Sequence, residues 1–157
     1  MTTQTNKYSA ELIAEWLLSK SEMSPKKLQK MLYYCYSWTL TLLNEREDEL
    51  KNKLFDDEFE AWVHGPVVRS VYDKYRPFGY TDIPKSDKAV PIDDEEVLDI
   101  LHQVFDEYGA FSGNDLESIS HQEDPWIIAR EGKGPFEASD QTITDESIFN
   151  YYIQRVE

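Results

Sequence analysis

Cysteine is almost absent: Cys35 is the only one in 157 residues. A lone thiol excludes an internal disulfide and a multi-thiolate metal site, and it suits a reducing, cytoplasmic compartment. Cys35 falls on an apolar helical stripe, where a buried structural thiol is expected rather than a nucleophile. Glycine is scarce too, at six residues, with no Gly-x-Ser-x-Gly elbow and no phosphate-cradling loop; His-Glu-x-x-His is also missing. No apolar run is long enough for a bilayer. The longest charge-free stretch, Met31 to Asn44, includes Tyr, Ser and Thr and falls short of the roughly 20 apolar residues required. Met1 to Ser9 is polar, with Lys7 its only charge, and lacks the apolar centre of a secretory signal. Basic residues are few: 16 Lys and Arg stand against 31 Asp and Glu, a net charge of −15. That balance repels phosphate backbones, so direct nucleic-acid binding is not expected. It serves solubility, or it steers the chain toward a basic protein partner.

Aromatic residues are plentiful by contrast, with 10 Tyr and 4 Trp. With 40% hydrophobic residues the chain can build a core without a disulfide or metal staple. No repeat or long linker divides it, so residues 1–157 read as one domain. Ser9 is set to cap a first helix carrying Leu12, Ile13, Trp16 and Leu17. Ser24 and Pro25 open a second, long one, whose stripe runs through Leu28, Met31, Leu32, Cys35, Tyr36, Thr39, Leu40 and Leu43. Asn44 to Lys53 reads as loop. Phe59, Ala61 and Val63 then alternate with Glu60, Trp62 and His64, the rhythm of a strand. Gly65-Pro66 is expected to stop that strand and open a helix running from Val67 through Tyr75. A strand needs a partner, and Lys88 to Pro91 is the expected one.

Asp93 with Glu96 resembles a capping box for a helix bearing Val97, Leu98, Leu101, Val104, Phe105 and Tyr108. Ser112, Asp124-Pro125 and Thr144 mark three more helix starts. The expected fold is mainly α: a compact domain of about six helices with a small β-strand pair.

Catalytic chemistry is hard to find. His102 lies mid-helix. His121-Gln122-Glu123 matches the start of a zinc-deaminase signature, whose Pro-Cys-x-x-Cys half a single cysteine cannot supply. His64 and His121 could meet in space, but two histidines need a third ligand to hold a metal. The acidic runs read as solvated faces or caps. No catalytic, cofactor-binding or metal-binding residue is assigned, and the chain is expected to be a binder rather than an enzyme. Lys20, Lys26, Lys27 and Lys30 cluster near the start of the second helix, either as a solvated face or as a contact for an acidic surface or phosphate.

Two segments are denser than packing alone requires. One is Phe59-Glu60-Ala61-Trp62-Val63-His64-Gly65-Pro66-Val67-Val68-Arg69-Ser70-Val71-Tyr72, in which Trp62 and His64 point the same way from the strand while Arg69 and Tyr72 share a helix face. The other runs from Ser118 through His121 and Pro125 to Trp126. Together with Leu28-Gln29-Lys30-Met31-Leu32-Tyr33-Tyr34, they resemble the Panacea-domain, SocA-like antitoxins, a group rich in phage-associated proteins. That family carries Leu-x-Lys-Leu-Leu-Tyr, Phe-x-Ala-Trp-x-x-Gly-Pro-Val-x-x-x-Val-Tyr and Leu-x-x-x-(Ser/Thr)-His-x-x-x-Pro-Trp at these places. Here Ser120 precedes the histidine, and beyond Ala129 the likeness shrinks to Ile143 to Ile148.

The resemblance implies a non-enzymatic antitoxin that binds a cognate toxin directly, and the acidic charge points to a basic one. The alternative it implies is an adaptor that delivers a toxin or other partner to a cytosolic AAA+ protease, or another phage–host interaction protein. Trp62, His64, Gly65, Pro66, Arg69, Tyr72, His121, Pro125 and Trp126 are the residues singled out, either as a partner-binding set or as the signature that locks the fold.

Overall fold

Helix α2 (Pro25–Leu42) organises the structure because its sequence is apolar or aromatic on every side. Ser24 accepts from the Lys27 N–H and Pro25 occupies the first turn, as its sequence predicts. From Leu28 to Leu40, α2 is buried at every position except Trp38, so it needs neighbours all round. The computed structural model describes residues 8–156; the expectation for the leading residues Met1 to Lys7 lies outside them.

Around α2 pack α1 (Ala10–Leu18), α3 (Arg69–Tyr75), α4 (Glu95–Tyr108), α5 (Gly113–His121) and α7 (Asp145–Tyr152), with α6 (Asp124–Ala129) bridging α5 and α7. The domain is mainly α, with seven α-helices among the described residues where about six were expected. Ser9, Ser112 and Thr144 cap as expected, Ser112 in a reciprocal box with Asp115. The α4 cap differs: Asp94, not Asp93, accepts from the Glu96 and Val97 N–H groups. Cys35 is fully buried, and burial pushes its thiol far above the ordinary range.

The strand pair also differs from expectation. β1 (Glu60–Trp62) pairs antiparallel with β2 (Gly65–Val67), not with residues 88–91. Gly65-Pro66 therefore turns the chain back into the sheet, and the helix waits until Arg69. The proline is tolerated because it faces Ala61 at a non-bonded pair: the Ala61 N–H points the other way, to the Gln141 carbonyl. Ile143 donates to Phe59 on the same side, so residues 141–143 lie along the second edge of β1. Phe59 and Ala61 face the core, as their alternation predicts.

Against Tyr34 of α2 a carboxylate is buried with its partners. Glu123, 3% exposed, accepts from Tyr152 at 2.6 Å and Tyr34 at 2.9 Å, and Arg155 reaches its other oxygen at 3.2 Å. Burial raises its pKa, and the tyrosine and arginine bonds only partly offset that. Tyr34 in turn stacks on Tyr108 with ring centres 4.1 Å apart. The network ties α2, α4, the α5–α6 junction and α7 together. Tyr152→Phe removes the shortest donor to a buried acceptor, and should cost about 1–3 kcal/mol, read as a lower urea midpoint at unchanged slope.

Candidate functional site

The hairpin, α3 and the α5–α6 junction converge beside the first half of α2. Val63 and His64 form the turn with negative φ, and Gly65 follows at φ 115°, where a side chain would be strained. A second reason for glycine lies underneath. A Cβ at Gly65 would sit 2.5 Å from Cε of Lys30, which runs beneath the hairpin. Lys30 is 1% exposed, and its Nζ donates to the Pro66 carbonyl at 3.4 Å. Burial is the main cause that brings this amine down to about 7; nearby Glu117 works against the shift and Lys26 with it. The preceding residue, Gln29, closes a two-way bond with the Val68 backbone, accepting at 2.9 Å and donating at 3.1 Å.

On the outer face, Glu60 accepts from the Trp62 indole at 2.8 Å and from Arg69 Nη2 at 2.8 Å. The guanidinium lies over the Trp62 ring at 5.3 Å, and Tyr72 meets the same ring edge-on at 4.8 Å. Burial alone would raise the Glu60 carboxyl, but the bonds from Arg69 and Trp62 outweigh it and hold the group below its usual range. Trp62, Arg69 and Tyr72 are thus brought together, as their spacing predicts. His64 parts from them: it is exposed in the turn, and its Nδ1 lies 3.0 Å from Glu117 of α5, which also binds Lys26 at 2.6 Å. Those two bonds likewise overcome burial and depress the Glu117 carboxyl.

The second motif locks onto the first. Pro125 is buried in the first turn of α6 and fixes the start of the helix that carries Trp126. The Trp126 indole donates to the Trp62 carbonyl at 2.8 Å, and the His121 ring stacks on Trp126 at 4.0 Å. Burial lowers the His121 pKa; its Nε2 is buried without a hydrogen-bond partner among the described residues. His64 lies near enough to be a lesser cause of that lowering at His121. Among the described residues no group of three or more His, Cys, Asp or Glu is placed to hold a metal.

A family model described as antitoxin SocA-like, Panacea domain, matches residues 28–127. The chain belongs to the Panacea-domain family. The match spans Lys30, the whole hairpin and α3, and ends one residue past Trp126, so it covers every contact between the two motifs in this Panacea domain. No curated protein and no solved structure matches the chain.

Three residues of the site escaped the sequence reading. Arg130, 5% exposed, donates to Ala61 at 3.0 Å, to Gly134 at 3.0 Å and to Glu137, with its guanidinium 5.1 Å from the Trp126 ring. Its position four residues after Trp126 was the available signal. Glu60 and Glu117 carry no signal beyond the general abundance of acid. The lysine cluster, in turn, is not an open cationic patch: Lys20 lies over Trp16, Lys26 is paired, Lys27 donates to the Gly109 carbonyl and Lys30 is buried.

Two predictions follow from the floor of the site. Below about pH 7 both folded and unfolded chains carry the Lys30 proton, and the cost of burying it is constant. Between about pH 7 and 10.5 only the unfolded chain keeps that proton. Stability should therefore rise with pH in this window, by up to about 1.4 kcal/mol per unit from this group. Lys30→Met should flatten that rise, measured by urea unfolding at pH 6, 8 and 10. Gly65→Ala should destabilise by about 1–3 kcal/mol through the φ it requires, apart from any shift it forces on Lys30; the melting temperature checks it.

Proposed function

We propose that this Panacea domain is the antitoxin of a bacterial or phage-borne toxin–antitoxin pair, and that it neutralises its toxin by direct protein contact in the cytoplasm, without catalysis of its own. The family match over residues 28–127 carries this reading. The chemistry-bearing residues of the motifs fit a binding role. Arg69 and Glu60 are engaged with each other, Glu117 with Lys26 and His64, and Arg130 with backbone carbonyls. The described helices include none long and apolar enough to cross a membrane. A net charge of −15 favours a partner with a basic surface, since unlike charge accelerates encounter.

Within the motif set, Gly65, Pro66, His121, Pro125 and Trp126 support the fold by the contacts described, whereas Trp62, Arg69 and Tyr72 combine support with a solvent-facing surface. On this reading the latter three meet the toxin. The gene adjacent to this one, expressed alone, should arrest growth, and co-expression of this chain should relieve the arrest. A harmless neighbour, or one that still kills in its presence, sinks the proposal. Arg69→Ala should leave the melting temperature nearly unchanged, because the pair it breaks is exposed. It should nonetheless weaken neutralisation in the same co-expression assay.

A further inference from the structure

A groove of about 390 Å³ runs between the start of α2, α3 and the hairpin. Its lining includes Lys26, His64, Trp62, Tyr72, Arg76 and Tyr80. Its lining contains no Asp or Glu, although the chain as a whole has 31 acidic residues against 16 basic. Counting pairs sharpens the point. Lys26 and His64 lean on Glu117, which lies behind the lining. Arg76 has no ion pair among the described residues, so it is the solvent-facing cation of the groove without a carboxylate; Lys30, also in the lining, is buried under the hairpin. The rim is aromatic and open: Tyr80 is 100% exposed, and the Tyr72 and Tyr80 hydroxyls have no partner among the described residues. Exposed rings that cost little entropy to immobilise, with unused donors and a free arginine, are the composition of a recognition surface rather than of a solubilising one.

We propose that this groove is a docking site for an acidic segment of a partner protein that carries one large apolar side chain. The apolar side chain lies against Trp62, Val71 and Tyr72, and the flanking carboxylates accept from Arg76 and the tyrosine hydroxyls. Charge decides the occupant. The groove is a break in an otherwise acidic surface, so a basic segment would meet Arg76 unpaired, and a second copy would bring its own excess of acid along the whole approach. The proposal rests on the binder reading above and names the chemistry of the contact within it. The overall charge steers the body of the partner; the groove selects one segment of it.

The test uses the intact chain and two fluorescently labelled synthetic peptides with the same single central Leu, one flanked by Glu and Asp, the other by Lys. Anisotropy titration should show the acidic peptide binding at least about tenfold more tightly than the basic one. Arg76→Glu and Tyr80→Ala alter exposed side chains and should leave melting unchanged, yet each should weaken the acidic peptide about tenfold. Equal or tighter binding of the basic peptide, no binding of the acidic one, or unchanged affinity in both variants overturns the proposal. Neutralisation separates the two levels. If the wild type rescues cells from the adjacent gene product and the Arg76→Glu, Tyr80→Ala double variant rescues equally well, the groove is excluded while the antitoxin reading stands. If the wild type rescues nothing, the antitoxin reading falls and the peptide comparison alone decides the groove.

Discussion

A ribbon of two three-residue strands cannot satisfy its own backbone. In this chain the missing partners are sent by side chains from helices, and the rest of the architecture is arranged to deliver them. The Ala61 carbonyl is taken by Arg130, the Trp62 carbonyl by Trp126 and the Pro66 carbonyl by Lys30. Gln29 takes both polar groups of Val68, and residues 141–143 close the outer edge of β1. A buried carbonyl or N–H left unpaired costs about 1–3 kcal/mol, so these bonds supply what so short a ladder cannot. They also explain why a lysine, an arginine and a glutamine, residues that normally stay in water, are buried here.

The helices were legible because their signals are local. Ser9, Ser24-Pro25, Ser112 and Thr144 each declare a helix start within four residues, and the apolar stripe of α2 announces its burial. The strand rhythm at Phe59 to Val63 was legible for the same reason. Its partner was misplaced because Gly-Pro has two readings, a helix opening and a turn into a second strand, and local sequence does not separate them. What decides is Lys30, which needs glycine above it and offers the Pro66 carbonyl its donor from 36 positions away. The Asp93–Asp94 choice of cap fails similarly: both residues can cap, and packing of Val97 sets the phase. Within the site, Trp62, Arg69 and Tyr72 were found through their spacing. Glu60, Glu117 and Arg130 were not, since a carboxylate in an acidic chain and an arginine in a loop look like solvent residues until their partners are placed.

The family match and the contact pattern reinforce one another. The matched span begins at α2 and ends just after Trp126, the stretch in which the hairpin, its floor and its lock are all encoded. α1 and α7 lie outside it and supply packing around that kernel. Within that span the motif residues mostly hold one another, which leaves the solvent side of the same hairpin open to contact.

The bonds that finish the hairpin have an order in time. Trp126 is 64 residues from Trp62, Arg130 is 69 from Ala61, and residues 141–143 lie further still from the strand they border. During synthesis Gln29 and Lys30 precede the strands, but Trp126, Arg130 and residues 141–143 emerge long after them, and loop closure over such spans is slow compared with forming the helices around them. The face assembled around Trp62 is therefore among the last parts of the molecule to exist. A nascent chain stalled before the loop that follows α6 would have α1 to α6 and lack the Arg130 bond and the 141–143 edge that complete the hairpin.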